Sequence, residues 1–338
     1  MKSIAELEDR LTRPSDRLIE DLYRIDGDLL ILGIGGKMGP SLAQLARRAI
    51  QAAGLDKKVI GVSRFSDPAT RQELKDAGIE TIAGDLLDDS FLAGLPRVQN
   101  VIFMAGQKFG TAGNQAYTWA MNTYLPGRVA ETFRDSRIVA FSTGNVYPFT
   151  SVDGRGASEI TAPDPVGEYA QSCLGRERLF EYGALRYGTP VLIYRLNYAL
   201  DLRYGVLNDI ARKVWNEQEI DLRMGHVNVI WQGDANEYAI RSLLHTESPA
   251  RILNVTGTEV LSVKTLAQTF GRLLGRAPHL INEPMPTALL SDAQQMQNLM
   301  GAPEVSTDQM IEWTAEWIQT GGKEINKPTH FEARDGVF

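Results

Sequence analysis

Residues Leu29, Leu30, Ile31 and Leu32 form an unbroken apolar run, the pattern of a short strand buried on both faces. A glycine cluster follows from Gly33 to Gly39. Behind Pro40 and Ser41, Leu42, Leu45, Ala46 and Ala49 then recur at helical spacing. Further strands are predicted at residues 57–64, 80–86, 101–106, 138–141, 189–196 and 251–256. The third ends in Gly84-Asp85-Leu86, and the fourth ends in small residues where a ligand would lie. A long helix carrying Tyr117, Trp119, Ala120 and Asn122 is expected between the fourth and fifth.

Ahead of the first strand, Ser3-Ile-Ala-Glu6 is a capping-box pattern, with Ile4, Leu7 and Leu11 on one helical face. Pro14-Ser15 breaks the chain before a second amphipathic helix carrying Leu18, Ile19, Leu22 and Tyr23. Residues 1–27 therefore read as a helical arm that packs on the main body or on a partner subunit. Beyond the sixth strand, residues 207–215 look helical, followed by an apolar stretch at 220–224 and the segment 226–231. A capped helix is expected at 262–270, and two small helices at 292–301 and 307–319. The tail 321–338, with Pro328, His330, Phe331 and Phe338, has no clear period. Disorder, cover over a cleft and contact with a neighbouring subunit all stay open for it.

Composition narrows the class. The chain of 338 residues is 43% hydrophobic and 23% charged, ordinary for a globular protein with a full core. A net charge of −7 argues against nucleic acid or an anionic membrane surface as the main partner. The single cysteine, Cys173, permits neither an intramolecular disulfide nor a zinc cluster, and the four histidines lack metal-ligand spacing. No run is long enough to span a membrane and no secretory signal opens the chain, so a metal-free cytoplasmic protein is expected.

Strand, glycine turn and helix are the context that gives a dinucleotide fingerprint its meaning. The G-x-G-x-x-G spacing fails at Met38. Gly33, Gly36 and Gly39 instead give G-x-x-G-x-x-G, with Lys37 inside the loop. Such glycines let backbone approach a pyrophosphate at the positive end of a helix dipole; a structural loop with spare glycines is the bland alternative. At the end of the second strand stand Ser63 and Arg64, where an acidic residue would bind a free ribose diol. A hydroxyl and a guanidinium suit a 2′-phosphate, which favours NADP. NAD stays possible, with Asp67 within reach of the ribose.

Several landmarks occur in order: the glycine turn, Gly84-Asp85-Leu86, Met104-Ala105-Gly106, Asn122, Ser142-Thr143-x-x-Val146-Tyr147, Tyr169 and Arg195-x-Asn197-Tyr198. Residues 229–234, Leu253-Asn-Val-Thr-Gly257 and the stretch from Asp292 to Ile318 continue the series. In these the chain resembles an extended short-chain dehydrogenase/reductase of the NAD-dependent epimerase/dehydratase family. The resemblance implies an α/β Rossmann fold, a doubly wound parallel sheet with a smaller C-terminal substrate lobe. Residues 28–200 would bind the dinucleotide, with 229–257 returning to that domain, and residues 201–228 and 258–320 would form the substrate lobe. It also implies that Asp85 and Leu86 flank the adenine and that Ala105, Gly106 and Asn122 line the cofactor. Thr143 and Tyr169 would be catalytic. Lys108, Asn145, Arg195 and Asn197 would lie on the side of a small, sugar-like substrate. Relatives pair as homodimers through the helices bearing Asn122 and Tyr169.

One position departs from the pattern. The family's Tyr-x-x-x-Lys pair places both side chains in one cleft, where the lysine charge favours the phenolate. Here the lysine position is Cys173. A phenol alone titrates near pH ~10 and is a poor base at neutrality, though still a proton donor. Three accounts compete: an altered reductase using Tyr169 and Thr143, a substitute cation such as Arg176 or Lys108, or dinucleotide binding without turnover. Cys173 itself reads as a small buried hydrophobe rather than a reactive thiol. The expected function is an NADP-preferring oxidoreductase or epimerase/dehydratase-like enzyme acting on a sugar-derived alcohol or ketone. The alternative is a catalytically silent NADP(H)-binding sensor or scaffold.

Overall fold

A computed structural model of the protein describes residues 1–108, 113–325 and 329–336. The apolar runs become seven strands: β1 Leu29–Leu32, β2 Val59–Ser63, β3 Glu80–Ala83, β4 Asn100–Phe103, β5 Arg137–Thr143, β6 Val191–Leu196 and β7 Arg251–Val255. They pair parallel throughout, in the order β7-β6-β5-β4-β1-β2-β3. Successive side chains of a strand face opposite sides, so Ile31 joins the core on one face of the sheet and Leu30 and Leu32 the core on the other. That is why β1 and residues 101–103 of β4 are apolar throughout, whereas the edge strand β3 is half-exposed. Strand order reverses between β1 and β4, which opens a crevice at the carboxyl ends of the strands.

The N-terminal arm packs on its own chain. Helix α1, Ile4–Thr12, sends Leu7 and Leu11 into the core of the smaller lobe. Helix α2, Asp16–Leu22, sends Leu18 and Leu22 into the core beneath helix α3, Gly39–Ala52. Each leucine so buried contributes about 1.5–3 kcal/mol, enough for four of them to fix the arm. The smaller lobe is built on helices Val206–Trp215, Val263–Leu274 and Thr307–Gln319, with Trp231, Phe270 and Trp317 fully buried.

The helix expected after β4 is not continuous. It runs as Gln115–Trp119, a π-helical turn Ala120–Tyr124, and a helix Leu125–Thr132. Pro126 explains the interruption, because it has no N–H to give the carbonyl four residues back, that of Asn122. In the tail, Pro328 and Phe338 lie outside the described residues. Phe331 is buried in the smaller lobe, and Arg334 donates to the carbonyl and hydroxyl oxygens of Thr287. The tail therefore lies against the body of the protein at these points.

Candidate active site

A cavity of about 270 Å³ opens at the carboxyl ends of β1, β4, β5 and β6. Gly33, Met104, Thr143 and Leu196 stand where those four strands end and line it. Gly33 has φ +95°, and a Cβ there would fall 2.5 Å from the backbone nitrogen of Ala105. At Gly39 a Cβ would fall 2.1 Å from the carbonyl oxygen of Ile34. Both glycines thus close the turn against protein. Gly36 is different: a Cβ there would meet only the Gly33 carbonyl oxygen, at 3.3 Å, and Gly36 itself lines the cavity. The loop leaves bare backbone at the start of α3, a 14-residue helix, and so fits a dinucleotide pyrophosphate.

At the end of β2, Ser63 Oγ packs against the same loop, 2.5 Å from where a Gly35 Cβ would be. Arg64 is exposed, and its Nη1 donates to the Tyr117 hydroxyl at 3.0 Å. Asp67 caps the helix Pro68–Asp76, accepting from the Thr70 hydroxyl and from the amides of Ala69 and Thr70, which holds its carboxyl below the usual range. Its oxygens are thus committed to the cap. Asp85 is exposed and accepts from Leu87 N, while Leu86 and Ala105 are buried.

Lys37 does not join Arg64. Its Nζ reaches the other way, 3.4 Å from the carbonyl oxygen of Ala199 and 3.9 Å over the Tyr204 ring. The residue is exposed along the open cleft, but protein atoms surround the ammonium, and this burial pulls its pKa down to about 8. Asp201 opposes the shift.

Thr143 ends β5 and caps the short turn Gly144–Val146, so its hydroxyl points along the cavity wall beside Asn145. The helix Gly167–Tyr187 presents Tyr169, Cys173, Arg176 and Glu177 on one face, at spacings of four and three residues. Thr143 and Cys173 stand beside the Tyr169 hydroxyl and both act on it. Burial raises the phenol well above its ordinary value, and the neighbouring thiol adds to this, while Arg176 works against it. Cys173 is fully buried beside Val146, Tyr147 and Ala157. Burial pushes its thiol up as well, against the charges of Arg176 and Lys108. Lys108 lines the cavity and is itself pulled down to about 8 by burial. The arrangement therefore holds a protonated phenol in contact with a threonine hydroxyl, which is a proton donor for a carbonyl oxygen.

Two expected ligand residues have other tasks. Arg195 is buried at 1% exposure, with Nε and Nη2 donating to Glu177 at 2.9 and 2.6 Å, and it does not line the cavity. A fully buried guanidinium needs a carboxylate partner, and this pairing removes it from the substrate side. Asn122 is fully buried beneath the cleft. Its amide donates to Gln107 O and Ser172 Oγ, and its Oδ1 accepts from Gln107 N and Arg176 Nη2. Asn197 lines the cavity and donates to Asn228. His226 pairs with Ser262 in a two-stranded ladder and is no part of the lining. Tyr204 and Thr329 do line it, and both were missed in the sequence. Thr329 sits in the aperiodic tail, where no pattern marks it.

The fold has counterparts in solved structures. A UDP-glucuronic acid 4-epimerase from Bacillus cereus, solved with NAD, is 18% identical, with a TM-score of 0.69 over 88% of this chain and 100% of its own. This chain has the fold of NAD-dependent epimerases and dehydratases. The UDP-glucose 4-epimerase of Thermus thermophilus, also with NAD, is 18% identical, with a TM-score of 0.68 over 86% of this chain and 99% of that one. A dTDP-glucose 4,6-dehydratase from Bacillus anthracis, with NAD, is 16% identical, with a TM-score of 0.71 over 87% and 97%. At these identities the likeness is one of fold. No protein-family model and no curated protein sequence matches the chain. Among the described residues no helix is long and apolar enough to cross a membrane, and no cluster of histidine, cysteine and carboxylate side chains is placed to hold a metal ion.

Proposed function

We propose that the protein is an NADP-preferring oxidoreductase that works in the reductive direction on a small sugar-like ketone or aldehyde. The row Thr143–Tyr169–Cys173, facing the glycine turn across one cavity, carries this reading. A nicotinamide dinucleotide bound there supplies the hydride. Gly33, Gly36, Met38 and Gly39 hold its pyrophosphate at the start of α3, and Ala105 and Gly106 line its path. Arg64, with Ser63, meets the 2′-phosphate of NADP, and Asp67, the acid nearest them in sequence, is held by the helix it caps. Tyr169 gives its proton to the substrate oxygen, which Thr143 orients, and Asn145 and Asn197 face the substrate. A phenol raised by burial keeps its proton at neutral pH, so it stands as a donor and not as a base. This explains how the chain dispenses with the lysine expected at Cys173.

The silent sensor is the second reading, and the same raised phenol favours it, since an alcohol has no base to oxidise it at neutral pH. Tyr169→Phe separates the two. The oxidoreductase reading expects NADPH-dependent reduction by the wild type and a loss of at least a hundredfold in the variant, with NADPH affinity kept. NADPH binding with no turnover by either protein over a panel of ketoses and sugar acids would leave the sensor.

A homodimer paired through the helices that bear Asn122 and Tyr169 is also proposed. Trp119 and Tyr124 on one side, and Tyr182 and Leu185 on the other, are exposed apolar side chains that support it. The mass in solution tests it.

A further inference from the structure

Arg64 is held at both its base and its tip. It directly follows β2, and at its base the next residue, Phe65, has φ +49°. A bulky side chain rarely adopts this left-handed conformation, which persists where the surroundings over-determine it. Here the Phe65 ring packs against the same core as α3, and the Arg71 guanidinium lies 5.6 Å from its centre. Arg71 is itself fixed, its Nε donating to the Thr81 hydroxyl of β3 at 3.2 Å. The turn that carries Arg64 is therefore set by its neighbours.

At the tip, Arg64 Nη1 donates to the Tyr117 hydroxyl at 3.0 Å. Tyr117 is half-buried on the helix Gln115–Trp119, which follows β4. In the sheet, β1 and the glycine turn at its end lie between β2 and β4. The bond therefore joins the segments on either side of the glycine turn. The helix that bears Tyr117 is anchored on both sides of it. Thr118 is fully buried, its hydroxyl donating to the Asn114 carbonyl at 3.1 Å, and Trp119 Nε1 donates to Glu168 at the start of the tyrosine-bearing helix.

An exposed arginine samples many rotamers, and a ligand that binds it has to order it. Tyr117 takes one N–H of the planar guanidinium fork and leaves the edge of Nε and Nη2 outside that bond. A phosphate accepts parallel N–H bonds from such an edge. The partner is also a neutral hydroxyl, so it fixes the direction of the guanidinium without cancelling its charge, as a carboxylate would. We infer that Tyr117 is a positioning residue for cofactor choice, holding Arg64 ready for the 2′-phosphate of NADP(H). The inference rests on the NADP reading of Arg64 and adds to it the residue that makes the arginine effective. Tyr117 acts on the phosphate through Arg64, so loss of its hydroxyl is felt by NADPH and not by NADH.

Dissociation constants for NADPH, NADH and the fragment 2′,5′-ADP test this in the wild type, Tyr117→Phe, Arg64→Met and the double variant. Phenylalanine keeps the half-buried ring, and NADH affinity is the control for the fold in each variant. Tyr117→Phe is expected to weaken NADPH and 2′,5′-ADP roughly three- to tenfold, the cost of ordering one long side chain on binding, with NADH unchanged. In the double variant the loss should equal that of Arg64→Met alone, because the hydroxyl has nothing left to hold. A tighter NADPH complex in Tyr117→Phe would mean that the hydroxyl competes with the phosphate, and would overturn the inference. So would equal losses of NADPH and NADH, or losses that add in the double variant. A loss in Arg64→Met with none in Tyr117→Phe strikes down the positioning role alone. No loss in Arg64→Met removes the NADP reading, and the inference with it.

Discussion

Arg176 is held on Asn122 at two points, its Nη2 donating to the side-chain Oδ1 at 2.9 Å and its Nε to the main-chain carbonyl at 3.4 Å. That carbonyl is free because Pro126, four residues on, has no N–H to offer it. A third bond from Nη1 to Phe141 O, at 2.8 Å, fixes the guanidinium behind Tyr169 and Cys173. Arg176, the cation that acts on the phenol, is therefore one turn farther along the helix than the expected lysine, and each of its three nitrogens donates to a protein oxygen. It acts on Tyr169 through its field alone.

Arg176→Met removes that field and leaves buried oxygens without donors. The expected cost is about 2–4 kcal/mol of stability, from carbonyls that lose charged donors in the interior. Arg176→Lys restores the charge but not the three-point geometry, so it should recover part of the catalytic loss and little of the stability. Urea unfolding of both variants, set beside their reductase rates, checks this. Equal recovery of rate and stability by the lysine would contradict it.

Cys173→Lys restores the family pair on paper, yet the structure argues against a gain. Position 173 is fully buried among Val146, Tyr147 and Ala157, with Arg176 and Lys108 both acting on it. A third cation there faces like charges, and Glu177, the carboxylate that acts on this position, is already paired with Arg195. We expect a loss of several kcal/mol in stability and a lower rate. Cys173→Ala should cost only about 1–2 kcal/mol of stability, since a small buried side chain leaves a small cavity. A faster, equally stable Cys173→Lys would mean that the native site is merely degraded.

Arg64→Met tests cofactor choice. Arg64 is exposed at the end of β2 and hydrogen-bonded to Tyr117, so its loss barely touches folding. A charge-assisted contact to a phosphate is worth about 1.5–3 kcal/mol, so NADPH affinity should fall roughly tenfold to a hundredfold while NADH affinity stays put. Dissociation constants for both cofactors, in wild type and variant, are the measurement. Equal wild-type constants would remove the argument for NADP.

Much of this was legible in the sequence because it depends on local pattern. The apolar runs at 29–32, 101–103 and 138–141 have to become buried strands, and Gly33, Gly36 and Gly39 have to form a turn. What escaped was set by long-range partners. Arg195 reads as a cleft residue until Glu177, on a different element, is seen to bind it. Lys37 reads as a neighbour of Arg64, but its direction is decided by Tyr204 and Ala199, more than 160 residues away. Thr329 belongs to a segment with no period, and the half-buried Asp209 gives it a place. The broken helix at Asn122 lay between these cases: Pro126 was a signal in the sequence that went unread, and the use of the Asn122 carbonyl by Arg176 did not appear in any pattern.

A buried acid far from the cleft predicts how stability depends on pH. Asp234, on the helix Gln232–Arg241, is 9% exposed, accepts from Val305 N, and lies near Glu237. Burial raises its carboxyl to about 7, from 3.8 in the unfolded chain. Folded protein thus keeps a proton that the unfolded chain releases, and the contribution of this group is greatest below pH ~4 and declines as pH rises toward 7. Asp234→Asn keeps an oxygen for Val305 and removes the titration. The variant should lie within about 1 kcal/mol of the wild type near pH 4.5 and exceed it by about 4 kcal/mol at pH 8, the free energy of a shift of about three units. Urea midpoints at the two pH values decide it. A difference that does not change with pH would mean that Asp234 stays charged in the fold, and that the nearby Arg10 neutralises it more fully than burial opposes it.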